Sequence, residues 1–205
     1  MKQIKFDETK ECDCMKKLIV LVLVCVLCVG LTACNKEVTW NGEAECLGEL
    51  TMVLDFTNLY EYVGIVDYVF VGTVEGAEYV IPEKRTEYEQ SFSQYQIRVN
   101  RNLKGELIET ITCSKMGGLK TDGTMLLISA ETPNGKVVMD NGLPEVGKQY
   151  IFLAYTQRNG SLTLSEILDN REYNDELLAE YLDYVDNEIP FERERFISEY
   201  NKPTE

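Results

Sequence analysis

The chain contains no histidine among its 205 residues. Imidazole is the commonest general base and a frequent zinc and copper ligand. Its absence removes the usual Ser–His and Cys–His catalytic pairs and most zinc and copper sites. Positive charge is also scarce: 20 Lys and Arg stand against 35 Asp and Glu, a net charge of −15. Such a surface repels phosphate backbones, so nucleic acid is not an expected partner, and cationic or neutral partners are favoured. There is no Gly-rich phosphate loop, no Gly-x-Ser-x-Gly elbow and no Ser-x-x-Lys. No catalytic residue and no cofactor is therefore expected, and the chain reads as not an enzyme. A pair of carboxylates hydrolysing a glycan needs no histidine, but no pair stands out among so many acids. Asp140-Asn141-Gly142 and Asp169-Asn170 carry calcium-type oxygens. The D-x-[DN]-x-[DN]-G loop is missing, so both read as turns and no metal site is expected.

What is present begins at Met15. Lys16 and Lys17 precede an uncharged apolar run over 18–30, and Leu31-Thr32-Ala33-Cys34 follows. A basic start, an apolar helix-forming run and small residues before a cut make a secretory signal. The sixteen residues 18–33 fall short of the roughly 20 that a helix needs to span about 30 Å of hydrocarbon. The four residues 31–34 resemble the lipobox of bacterial lipoproteins. That resemblance implies signal peptidase II cleavage between Ala33 and Cys34, and a diacylglyceryl thioether on Cys34. It places the mature chain at the extracytoplasmic face of the cell membrane, held by covalent lipid. Residues 1–14 hold three Lys and four acids, the wrong balance for a signal start. Translation is expected to begin at Met15, leaving 1–14 as an extension outside the precursor.

Processing reduces the seven cysteines to Cys34, which is lipidated, and the pair Cys46 and Cys113. Outside the cytoplasm such a pair is a candidate disulfide. Two separate thiols, with Cys113 buried in a strand, is the equal alternative. Residues 34–50 lack an apolar pattern and are expected to be a tether, with Trp40 packing on the domain or resting at the membrane interface, packing being favoured.

Residues 51–205 are expected to form a single β-rich domain. Phe56, Leu59, Tyr60 and Val63 share helical spacing. Residues 67–75, 91–100, 108–113, 124–130, 136–139, 150–155 and 162–167 are rich in β-branched and aromatic residues or alternate. In 91–100, Phe92, Tyr95, Ile97 and Val99 are expected to face inward. Pro133-Asn134-Gly135 signals a hairpin. The run 150–155 is apolar throughout and should be central. Asn174 caps a helix over 174–187, with Leu177, Leu178, Tyr181, Leu182 and Val185 on one face. The twelve tyrosines are expected in the core and on sheet faces; the other reading makes them stacking platforms.

The fold class is thus mostly β with α: a small antiparallel OB-like β-barrel with a C-terminal helix. The segments over 67–167, including Leu103-Lys104-Gly105, Gly117-Gly118 and Val146-Gly147-Lys148, resemble the order found in netrin-like and metalloproteinase-inhibitor-like domains. Those inhibitors chelate zinc with a free N-terminal cysteine. Cys34 is committed to lipid, so that chemistry does not carry over. The function expected is a lipid-anchored, cell-surface binding or accessory module acting as a monomer on an envelope protein or glycan. A carboxylate-dependent envelope hydrolase and a structural envelope protein without a specific ligand are the alternatives.

Overall fold

A computed structural model describes residues 38–51, 55–80, 91–140, 142–165, 169, 171 and 173–202. The chain divides into two compact units, Met1–Glu37 and Val38–Glu205. Every described residue belongs to the second, so the signal segment, Ala33, Cys34 and the extension 1–14 lie outside the described residues.

Five strands close a barrel: β2 (Tyr68–Val80), β3 (Phe92–Lys104), β4 (Thr110–Met116), β8 (Gln149–Thr156) and β9 (Leu162–Leu164). Around the barrel the order is β2-β3-β4-β9-β8. Numbered within the barrel this reads 1-2-3-5-4, with the third and fifth strands parallel at Cys113↔Leu162 and Ser114↔Thr163. The expected OB-like barrel is present. Its interior is lined by Tyr68, Phe70, Val74, Tyr95, Ile97, Ile111, Cys113, Tyr150, Phe152 and Leu162. Gly72 is the inward position where a side chain has no room: a Cβ would stand 2.6 Å from Ile97 Cγ2.

Between β4 and β8 the chain leaves the barrel and builds a second sheet. It comprises β1 (Ala44–Thr51), β5 (Gly118–Leu119), β6 (Met125–Glu131) and β7 (Val137–Met139). The expected hairpin joins β6 to β7, closed by Thr132 N–H to Lys136 O at 2.9 Å. β1 corrects the expectation of a tether reaching residue 50. Its residues pair in parallel with β6 from Ala44↔Met125 to Thr51↔Glu131. The partner edge supplies the order that their own sequence pattern does not announce.

Two helices cover the outer wall of β2 and β8. α1 (Leu59–Ile65) is capped by Asn58 and α2 (Asp175–Asp186) by Asn174, each side chain accepting a backbone N–H of the first turn. The outward residues Val69, Val71, Ile151 and Leu153 meet Tyr62, Val63, Leu177 and Tyr181 in a second core. This is why β2 and β8 read as apolar on both faces: one side fills the barrel and the other receives helices. Tyr184 joins that contact, whereas Leu182, expected there, does not.

Beyond α2 the chain runs without helix over 188–198 and straps back over α1. α1 has no basic residue in its last turn, so cations from elsewhere cap its carbonyls. Lys104 Nζ donates to Val63 O at 2.7 Å, Arg195 to Gly64 O at 2.8 Å and Val66 O at 3.0 Å, and Arg193 Nε to Ile65 O at 2.7 Å. These are the orphan acceptors of a helix end, and positive charge there is favoured by the helix dipole. Both arginines also hold Asp67 Oδ1, at 2.6 and 2.8 Å.

Candidate functional site

The wall of the barrel left bare by the helices is formed by β3, β4 and β9. Strict alternation along β3 and β4 sends every second side chain outward. Gln94, Gln96, Arg98 and Asn100 are exposed on β3, and Thr110 and Thr112 on β4, with Ser114 half-buried. Register sets them side by side: Gln94 faces Ser114, Gln96 faces Thr112 and Arg98 faces Thr110. Ser114 continues the row to Thr163 of β9, their hydroxyls 3.2 Å apart, and Gln157 Nε2 donates to Thr163 Oγ1 at 3.0 Å. At the other edge Asn100 Oδ1 accepts from Thr73 Oγ1 at 2.8 Å and Gln149 Nε2 at 3.1 Å. Beside Gln96 on β2 stands Gly76, whose absent side chain leaves the amide open. The charges on this wall include Arg98 and Glu75, which pair at 3.1 Å, and the exposed Glu78, which stands directly across from Gln94.

The result is a flat face of amides and hydroxyls on a chain of net charge −15. It offers hydrogen-bond donors and acceptors in both senses, with charge confined to the Arg98–Glu75 pair and Glu78 along its β2 edge. It suits a neutral ligand rich in hydroxyl and amide groups, and this is the wall that OB-type barrels use for oligonucleotides and oligosaccharides.

The residues singled out from the sequence are placed elsewhere. Cys113 is buried inside the barrel and Cys46 is exposed on β1. The two residues of the candidate disulfide sit in different sheets, and Cys46 Sγ lies 3.6 Å from Ser129 Oγ. Burial pushes the Cys113 thiol well above its usual range. Asp140 and Asp169 face cations of the chain itself. Lys115 Nζ is 2.6 Å from Asp140 Oδ2, and Arg171 and Tyr181 Oη hold Asp169 at 2.8 and 3.0 Å. Burial works to raise the Asp169 carboxyl, but the bonds from Arg171 and Tyr181 outweigh it and hold the group below the usual carboxylate range. Asp67 behaves alike: burial raises it, while Arg193, the Thr156 N–H and Arg195 bring it below that range.

Among the tyrosines, Tyr62, Tyr68, Tyr95, Tyr150 and Tyr181 are core residues. Tyr60 packs edge-on against Tyr184, and Tyr79 leans on Leu119, Leu127 and Leu143. Tyr88 lies outside the described residues. Trp40 is exposed rather than packed; its indole N–H donates to Glu43 O at 2.9 Å, three residues away, ahead of β1. Sequence reading missed the amide and hydroxyl face, although its period-2 signal was legible in Gln94-Tyr95-Gln96-Ile97-Arg98. No family model matches the chain, and no curated protein matches it. No helix among the described residues is long and apolar enough to cross a membrane.

Proposed function

We propose that this chain is a lipid-anchored binding module at the extracytoplasmic face of the cell membrane, which holds a neutral envelope glycan on the β3–β4–β9 wall. One observation carries the reading: a contiguous row of amides and hydroxyls, with charge only along its β2 edge and at Arg98, on an otherwise strongly acidic protein. Charged side chains at such a position would pay a desolvation cost on contact with a neutral ligand, and amides and hydroxyls exchange water bonds for ligand bonds at little cost.

The lipobox supports the anchor. Two acyl chains are needed for stable attachment, because one gives marginal binding and each buried methylene adds about 0.8 kcal/mol. The exposed Trp40, six residues beyond Cys34, is an amphipathic ring suited to the membrane interface. Asp67, Asp140 and Asp169 are each committed to an internal cation, which supports binding over carboxylate hydrolysis. The module acts as a monomer.

The test is retention of the 38–205 domain on purified cell-wall glycan. Gln96→Glu and Thr112→Glu should each weaken retention about tenfold or more, equivalent to about 1.4 kcal/mol. Hydrolysis of the glycan that a single Asp or Glu substitution abolishes would establish the enzyme instead. Absence of both retention and hydrolysis at low salt would leave a structural role.

A further inference from the structure

Lysine is among the residues least often buried completely, yet neither the Lys115 nor the Asp140 side chain has any exposed surface. Strand parity puts Lys115 there. Ile111, Cys113 and Lys115 are successive inward positions of β4, so the amine stands at the end of the barrel interior, across from Ser93 of β3. Asp140 arrives from the second sheet, directly after β7, where its N–H donates to Ile128 O at 3.0 Å. Lys115 Nζ lies 2.6 Å from Asp140 Oδ2 and 3.3 Å from Ser165 O. The other carboxyl oxygen, Oδ1, faces the Gly142 N–H at 3.5 Å. Ser91, Ser93 and Tyr95 beside them on β3 are fully buried, and Ser165 nearly so.

We propose that Lys115 and Asp140 condense to an intramolecular isopeptide bond, a covalent strut between the barrel and the second sheet. Two charges with no exposed surface are costly. Passing one proton from Nζ to Oδ2 across their contact replaces them with a neutral amine and a neutral carboxylic acid. The amine lone pair then adds to Asp140 Cγ, forming the Nζ–Cγ bond. The negative charge that develops on Oδ1 faces the Gly142 N–H, which stands as an oxyanion donor. The Cγ–Oδ2 bond breaks, and Oδ2 leaves as water with its own proton and one from the nitrogen. Ammonium and carboxylate have become a secondary amide and one water, with no oxidant, reductant or further reactant. Fixing the two groups in contact supplies the driving geometry, since oriented intramolecular reactions reach effective concentrations of about 10⁵–10⁸ M.

Peptide mapping of the full chain by mass spectrometry, after denaturation and proteolysis, tests this. The expected product is a branched peptide joining the Lys115 segment to the Asp140 segment, lighter than the two linear peptides together by one water and resistant to trypsin after Lys115. Linear peptides alone, with cleavage after Lys115, would overturn the proposal. Lys115→Arg should restore the full mass and the linear peptides. Persistence of the water loss in that variant would assign it to cyclisation at Asp140-Asn141 and also overturn the strut. The wild-type map decides the matter even where the variant does not fold.

Discussion

Removing Arg195 should cost far more than a typical surface arginine. Its guanidinium donates to Gly64 O at 2.8 Å and Val66 O at 3.0 Å, and meets Asp67 Oδ1 at 2.8 Å. A hydrogen bond to a charged group contributes about 1.5–3 kcal/mol in protected surroundings. The Arg195 side chain is 40% exposed, so solvent screening reduces the sum to a net of about 2 kcal/mol. Arg193 is 19% exposed and serves Ile65 O and Asp67, so Arg193→Ala should cost about 2–3 kcal/mol. The two losses should not add simply, because they share Asp67, whose side chain is 8% exposed. Stripping both arginines strands that carboxylate, and an uncompensated buried charge costs about 3–5 kcal/mol. Asp67→Asn in the doubly substituted background should therefore recover stability rather than lose more. The assay is urea unfolding of the 38–205 domain, reading the midpoint at unchanged slope. A cost below about 0.5 kcal/mol for Arg195→Ala, the range of ordinary surface changes, would refute the clamp. So would further loss from Asp67→Asn in the double variant.

Acid should weaken the fold through the same groups. Asp67 and Asp169 are held below the usual carboxylate range in the folded chain. On acidification the unfolded chain therefore takes up protons first, and the stability present at neutral pH declines as pH falls through about 4. Urea midpoints at neutral and acid pH measure this, and a midpoint unchanged at acid pH would contradict it. Gly64→Ala should destabilise although alanine is the better helix former by about 1 kcal/mol. Its Cβ would stand 1.9 Å from Ile189 O, a backbone atom; a rise in melting temperature would show that the strap does not pack there. Cys34→Ala should abolish lipid labelling and leave the precursor uncut, and continued labelling of that variant would sink the anchor.

The barrel was legible because its two-sided apolar strands and its turns are local signals. Residues 150–155 could be nothing but a central strand, and Pro133-Asn134-Gly135 fixed a hairpin without help from the rest of the chain. β1 was not legible, because a strand paired in parallel at a sheet edge draws its order from β6. Phe92 was expected inward on the strength of its hydrophobicity. The structure keeps the parity Ser91, Ser93, Tyr95, Ile97 instead and leaves Phe92 half-buried. Serines face inward there because the interior at that end holds the amine of Lys115, and a small polar residue leaves it room. Lys115 itself stood at the right parity after Ile111 and Cys113, yet a lysine at an inward position reads as an error until its carboxylate partner is known. That partner lies 25 residues away, beyond the reach of periodicity. The clamp shows the same limit: Arg193 and Arg195 alternate in extended phase, but nothing local says that their targets are the carbonyls of α1.

The central claim is that the β3–β4–β9 wall is the binding face. Backbone amide resonances of the 38–205 domain, followed while a soluble fragment of cell-wall glycan is added, test it most directly. Shifts should cluster at Gln94, Gln96, Thr112, Ser114 and Thr163 and saturate. Shifts confined to the helices and the second sheet, or none at all at millimolar glycan, would contradict the account.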